Sequence, residues 1–270
     1  MEFGISLQSI IPVRKDPSHL SEMVTQLLFG ELYHIYQDQN DWLHIRMTWD
    51  NQGGWIPLKQ ATLLDEQEFL RLLHAETPVS MDLVQLIANE TRKTMFAILL
   101  GSSLPGLEGQ FFTVGGESFR FEGSVSDTSG IEGLHTPQER KELSQQLVDD
   151  TLIYLHAPYL WGGRSPFGID CSGLVQAAYR LKNVKLLRDA SQQATQGEVV
   201  NLLDEALPGD IAFFGDDETG HITHTGVLAD RFRIIHASGI VRVDAIDHEG
   251  IYDEKQGKYT HKLRLIKRIL

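Results

Sequence analysis

An α+β fold, with small β-barrels ahead of it, is predicted for this chain of 270 residues on three observations. Short runs of strand-forming residues, cut by Asp, Asn, Gly and Pro turns, fill roughly the first 130 positions. Two helical patterns follow, the first opened by Pro137-Gln138-Glu139 and the second by Cys171. From Asp210 onward, consecutive runs rich in β-branched residues complete the chain. Helices followed by an unbroken series of strands indicate α+β rather than alternating α/β.

In order along the chain, the spacing predicts strands over Ile10–Arg14, Leu32–Gln37, Trp42–Thr48 and Gly54–Pro57, the texture of a small barrel over residues 1–65. Trp42, Trp49 and Trp55 read as core and rim of that barrel. Leu63–His74 reads as a helical connector. A second barrel is expected within 66–135, from strands at Val79–Ala88, Thr94–Leu100, Phe111–Val114 and Ser118–Phe121. A third unit is assigned to 136–270. Its first helix carries Leu143, Leu147 and Leu152, with Pro favourable in the first turn. Strands are expected at Asp210–Phe214, Ile222–Leu228, Arg233–Ala237, Val241–Ala245 and Leu263–Ile269.

The only cysteine, Cys171, carries the chemistry. In WGGRSPFGIDCSGL a Gly- and Pro-rich loop delivers it to the start of an apolar-periodic run, Leu174, Val175, Ala178 and Leu181. A thiol in the first turn of a helix faces unpaired N–H groups and the positive end of the dipole, which favour the thiolate. The polar neighbours Asp170 and Ser172 argue against a purely apolar seat. Asp170 also reads as the cap of the helix.

A thiolate needs a base. HITHTGVLAD and FRIIHASG flank a turn at Asp230-Arg231 and read as an antiparallel hairpin. A turn centred on residue 230 sets His224 and His236 directly opposite each other, with Cβ atoms about 5 Å apart on one face. One imidazole can then act as base while the other fixes its tautomer. His221, at an odd offset from His224, is expected on the other face, in solvent. That divergence also disfavours a metal site built on the HxxH spacing, which converges on a helix and not on a strand.

These residues carry a resemblance. YLWGGRSPFGIDCSGLVQAAYR, followed by LPGDIAFFG, HTGVL and IIHASGIV, resembles the NlpC-type bacterial cell-wall cysteine peptidases, papain-like enzymes that cut γ-D-glutamyl to diamino-acid bonds in murein peptides. The resemblance covers about the last half of the chain. It implies Cys171 as nucleophile, His224 as base, His236 as the group orienting it, and the Tyr159 hydroxyl near the oxyanion. PVRKDPSHLSEMVTQLLFGELYHIYQDQNDWLHIR…GGWIP resembles bacterial SH3-like domains. Family members with such barrels accept peptides with a free N-terminal amine. By that resemblance Asp170, Ser172 and an acidic barrel residue, Glu22 by pattern, receive the ammonium. Gln52 stands where such barrels often carry a tyrosine. Arg188-Asp189-Ala190-Ser191 resembles a loop near the family's cleft, so Ser191 is a substrate-side candidate. Arg188 reads either as a bidentate partner for a substrate carboxylate or as an exposed loop arginine.

The expected activity is cleavage after L-Ala-γ-D-Glu in a murein peptide, before L-Lys or diaminopimelate, with no metal or organic cofactor. Two alternatives use the same residues differently: an amidase or acyltransferase acting on another amide, and a peptide-binding wall module with an idle catalytic unit. A formal charge of −13 disfavours a nucleic-acid or anionic-membrane partner. A single cysteine excludes an intrachain disulfide, and the N-terminus lacks a basic start followed by a long apolar stretch. No run approaches the length of a membrane span. The expected compartment is the cytoplasm, and the oligomeric state stays open.

Overall fold

The structure, a computed structural model, describes residues 2–128, 136–216 and 220–270. Two compact units divide the chain, Met1–Thr128 and Ser129–Leu270.

In the N-terminal unit, β1 (Glu2–Ile5), β2 (Ile10–Arg14), β3 (Met23–Leu28), β4 (Leu32–Gln39), β5 (Trp42–Met47), β6 (Gly53–Pro57) and β7 (Thr62–Leu64) form one antiparallel sheet in the order β3-β2-β6-β5-β4-β1-β7. Helix α1 (Glu66–Leu73) starts where Asp65 accepts the N–H of Glu68 at 2.8 Å. The expected connector is therefore part strand and part helix. Strands β8 (Val84–Asn89), β9 (Thr94–Leu99), β10 (Phe111–Val114) and β11 (Glu117–Phe121) form a second sheet, ordered β10-β11-β8-β9. The strand expected from Val79 begins only at Val84, because Val79 and Ser80 make isolated bridges to Ser103 and Val125 instead. One apolar core, including Ile5, Phe29, Phe69, Ile98 and Phe119, joins residues from both sheets and α1. The first expected barrel also keeps an interior of its own, with Ile11, Val13, Tyr33, Ile45 and Ile56. Residues 129–135, the end of the second expected domain, lie outside the described residues.

The C-terminal unit opens with α2 (Pro137–Leu152), fastened by a capping box: Thr136 Oγ1 accepts the Glu139 N–H at 3.2 Å, and the Glu139 carboxylate accepts the Thr136 N–H at 2.7 Å. Its buried face is Leu147, Val148, Asp150 and Thr151. Leu152, the last residue of the helix, is 37% exposed. The short hairpin β12 (Arg164–Ser165) and β13 (Gly168–Ile169) leads into α3 (Cys171–Arg180), every residue of which is buried. A helix hydrophobic or shielded all round belongs in the middle of a domain, and α3 lies there, against α2 and the sheet.

After α4 (Ala190–Gln193) come β14 (Glu198–Val200), β15 (Ile211–Gly215), β16 (Ile222–Asp230), β17 (Arg233–Ser238), β18 (Ile240–Ile246), β19 (Gly250–Asp253) and β20 (Lys258–Arg268). The order is β14-β20-β15-β16-β17-β18-β19, and β19 pairs back onto β20. The sheet is closed on itself, with β14 added at the side. Alternation sorts its residues by face. Ile211, Phe213 and Val227 pack with Leu147, Val175 and Tyr179 of the helices, while Ala212, Phe214, Leu228, Ile234, Ile246 and Ile251 fill the opposite, interior face.

The β16–β17 register corrects the expectation for the histidines. His236 stands opposite Gly226, not His224, because the turn lies at Arg231-Phe232 and an irregularity follows Leu228. Asp230 holds this loop by accepting from the Phe232 N–H and from Arg233 Nε, both at 2.8 Å. The slip is two residues, so both histidines stay on one face as a diagonal pair. Gly226 is required there: a Cβ would lie 2.8 Å from the Ile235 carbonyl oxygen and 2.9 Å from the His236 Cβ. Gly226→Ala is accordingly expected to cost about 1–3 kcal/mol of stability through overpacking. Denaturant unfolding checks this, and an unmoved midpoint would show that the hairpin absorbs the methyl.

Candidate active site

Cys171 occupies the first position of α3, directly after the cap. Asp170 Oδ1 accepts the Gly173 N–H at 2.6 Å, and Asp170 Oδ2 accepts the Gly162 N–H at 2.8 Å. The helix can enter so closely because Gly173 has no side chain; a Cβ would lie 2.3 Å from the Gly163 carbonyl oxygen. The backbone N–H groups of Thr225 and Ser172 face the Cys171 sulfur and favour its anion. Thr225 follows His224 directly, so the thiol lies beside the strand that carries the expected base.

Burial, with the Asp170 carboxylate second, pushes the Cys171 thiol up to about 11, against the backbone N–H groups of Thr225 and Ser172 and the Arg188 guanidinium. The expected resting thiolate is corrected by this balance. The helix terminus favours the anion, but desolvation of a thiol only 8% exposed outweighs it. His224 is likewise held well below the ordinary histidine range by burial and by the imidazoles of His261 and His236. At neutral pH the pair rests as thiol and neutral imidazole.

A chain of hydrogen bonds orients His224, the expected base. Asp244 Oδ2 lies 3.0 Å from His236 Nε2, and His236 Nδ1 lies 2.9 Å from His224 Nε2. A carboxylate only accepts, so His236 carries its proton on Nε2 and offers Nδ1 as acceptor. His224 therefore donates from Nε2 and keeps the lone pair on Nδ1 for a proton. The other Asp244 oxygen is held by Arg242, through Nε at 3.0 Å and a terminal nitrogen at 2.8 Å. Arg242 also pairs with Asp253 at 3.2 Å. The His236 and Arg242 partners keep the Asp244 carboxyl below its ordinary range despite partial burial. Asp244 was not among the sequence candidates. Its signal was an acid alternating with Arg242 in the otherwise apolar VRVDAI, on the face that the histidine strand presents.

Arg188 is neither exposed nor available to a substrate carboxylate. It is 1% exposed, with one terminal nitrogen 3.0 Å from Asp170 Oδ1 and the other 2.6 Å from Oδ2. The first also donates to Ser172 Oγ at 2.9 Å. The fork that could have gripped a ligand grips the cap of α3 instead. Gln193 ties the loop to the same place by donating to the Ser172 carbonyl at 3.0 Å. Ser191 lies exposed on α4. Tyr159 is 36% exposed, and burial together with the nearby Cys171 and Asp170 raises its hydroxyl to about 12, so it stays a proton donor at neutral pH. His221 is exposed, as expected, and among the described residues no group of three or more His, Cys, Asp or Glu is arranged to hold a metal ion. Glu22 belongs to the N-terminal unit, where it is exposed and pairs with Lys15 at 3.4 Å.

Two expectations follow from this geometry. Arg188→Ala strands a buried carboxylate and should destabilise the fold by about 3–5 kcal/mol, whereas Asp170→Asn combined with Arg188→Met should recover much of that loss. Urea denaturation followed by tryptophan fluorescence compares them, and equal midpoints for wild type and Arg188→Ala would remove the ion pair's structural role. In the substrate-free protein, iodoacetamide alkylation of Cys171 should rise about tenfold per pH unit between 7 and 9, as thiolate is drawn from a raised pKa. A rate already level at pH 7 would show a preformed thiolate.

Residues 156–262 match the NlpC/P60 family, and residues 13–60 match the bacterial dipeptidyl-peptidase SH3 domain. The γ-D-glutamyl-L-lysine dipeptidyl-peptidase of Bacillus subtilis is 28% identical over 79% of this chain and 71% of its own. The probable endopeptidase NlpC of Escherichia coli is 34% identical over 40% of this chain and 71% of its own. A crystal structure of an NlpC/P60 family protein from Bacillus cereus superposes with a TM-score of 0.81 at 17% identity, covering 99% of each chain. With these likenesses beside a helix-terminal cysteine and a hydrogen-bonded histidine pair, the chain belongs to the NlpC/P60 family and is a cell-wall cysteine peptidase.

Proposed function

We propose that the protein hydrolyses the γ-D-Glu to L-Lys or diaminopimelate bond of short murein peptides bearing a free N-terminal L-Ala, in the cytoplasm, as a step in reuse of wall fragments. The observation that carries this reading is the joint occurrence of a dipeptidyl-peptidase SH3 domain and the Cys171–His224–His236 site in one chain. The likeness to a γ-D-glutamyl-L-lysine dipeptidyl-peptidase supports the bond chosen.

In the proposed reaction, His224 Nδ1 takes the Cys171 thiol proton as sulfur attacks the γ-carbonyl carbon. Coupling the two events suits a site where neither group is charged at rest, because no isolated thiolate need be sustained in a buried setting. The Cys171 N–H, at a helix position with no intrahelical acceptor, and the Tyr159 hydroxyl serve the oxyanion. His224 then gives its proton to the departing amine of the diamino acid, leaving a thioester. Water attacks the thioester, again losing a proton to His224. L-Ala-γ-D-Glu leaves with a free γ-carboxyl group, and the thiol is restored. Throughout, His236 holds the tautomer of the base and Asp244 holds that of His236.

The amine of the substrate is assigned to the surroundings of Asp170 and Ser172. Because Asp170 already has Arg188 as its counter-charge, an empty pocket leaves no naked carboxylate. The preference for a free amine then rests on the charge-assisted hydrogen bond alone, worth about 1.5–3 kcal/mol. Acetylated L-Ala-γ-D-Glu-L-Lys should be cut roughly ten- to a hundredfold less efficiently than the free tripeptide, at about 1.4 kcal/mol per tenfold. Mass spectrometry of parallel digests, with L-Lys and diaminopimelate versions, measures both this ratio and the third-position preference. Equal kcat/KM for free and acetylated peptides would move the reading to intact cell wall. Cys171→Ser and His224→Ala should each abolish turnover with the fold kept, and near-native activity in either variant would end the assignment.

A further inference from the structure

One half-buried imidazole beside the base takes no part in these steps. His261, on β20, lies face to face with His224: the ring centroids are 4.1 Å apart and the planes are inclined by 29°. It reaches this place through the register of the closed sheet. Phe214 of β15 pairs with His224 on one side and with Leu263 on the other, and His261 is two residues from Leu263 on the same face. Phe214 completes the enclosure, 5.9 Å from His224 and 6.2 Å from His261, centroid to centroid. On its own strand His261 is anchored by Thr260 Oγ1, 2.9 Å from its Nδ1.

We infer that His261 is a positioning residue for the base, a flat ring that fixes the plane of the His224 imidazole; the inference rests on reading His224 as the base for Cys171. The hydrogen bond to His236 pins only one corner of that ring, at Nε2, and leaves the ring free to tilt about that point. His236 cannot prevent the tilt by packing, since it meets His224 edge-on, at 86°. A second ring stacked on the face removes the remaining freedom and keeps Nδ1 in one direction. When His224 carries the proton during turnover, the π-face of a neutral neighbour is a favourable contact as well. His261 is neutral under those conditions: burial and the His236 ring lower it to about 4, against the opposing pull of Asp244.

The test uses the full chain and two substitutions. His261→Ala should lower kcat on L-Ala-γ-D-Glu-L-Lys about tenfold with KM within twofold, while His261→Phe, which keeps a flat ring and cannot titrate, should restore kcat to within about threefold of wild type. Iodoacetamide alkylation of Cys171 at pH 8, which needs no peptide, should follow the same order. Wild-type kcat and alkylation in His261→Ala would overturn the inference, as would a His261→Phe protein as slow as His261→Ala. If His261→Ala does not fold, His261→Phe decides alone: kcat within threefold supports the role, and a tenfold loss overturns it. Failure of the peptide reading is distinguishable, since the tripeptide would then be uncut by wild type while alkylation still separated the variants. Failure of the base reading would show as alkylation unchanged in His224→Ala.

Discussion

One hydrogen bond between two imidazoles, His224 Nε2 to His236 Nδ1, is the constraint on which the site depends. Its direction is not a property of the two rings, which could donate either way. Asp244 decides it by accepting from His236 Nε2, and Arg242 holds Asp244 in place. The protonation of the base is thus settled three strands into the sheet. Each step crosses from one strand to the next, so the relay exists only while the register of β16, β17 and β18 is kept. Gly226 matters for the same reason, because the space opposite His236 is the space through which the diagonal contact with His224 is made.

The electrostatics of the nucleophile show two principles in competition. A helix terminus stabilises an anion through its free N–H groups and dipole. Burial opposes any unpaired charge, and here the nearest carboxylate adds to the opposition. Asp170 caps α3 and brings its charge to the helix terminus. Arg188 offsets it, and does so with both terminal nitrogens. The result is a thiol and an imidazole that are both uncharged at rest.

Much of the site could be read from local pattern. The cap at Asp170, the thiol at the start of α3 and the common face of His224 and His236 all follow from the periodicities of helix and strand, which survive small errors of register. The two-residue slip in the hairpin shows the limit, since it preserved the face while changing the direct partner from His224 to Gly226. The N-terminal strands were legible by the same alternation, but the apolar core that joins residues of both sheets and α1 was not. Arg188 was misread because a loop position in sequence says nothing of burial, and a guanidinium is buried only where a carboxylate waits for it. Asp244 and His261 were missed because each acts on a residue in another strand.

By itself, then, the sequence determined most of the elements, the place of Cys171 at the start of a helix and the common strand face of His224 and His236, since capping and alternation operate within a few positions. It also bounded the partners, through a charge of −13. The tertiary structure decided the rest: the closure of the sheet through β19 and β20, the tautomers set from Asp244, the stacking of His261 on His224 and the burial that raises the thiol. These depend on distances between segments remote along the chain and on the exclusion of water around them, and both arise only once the strands have paired and α3 has packed.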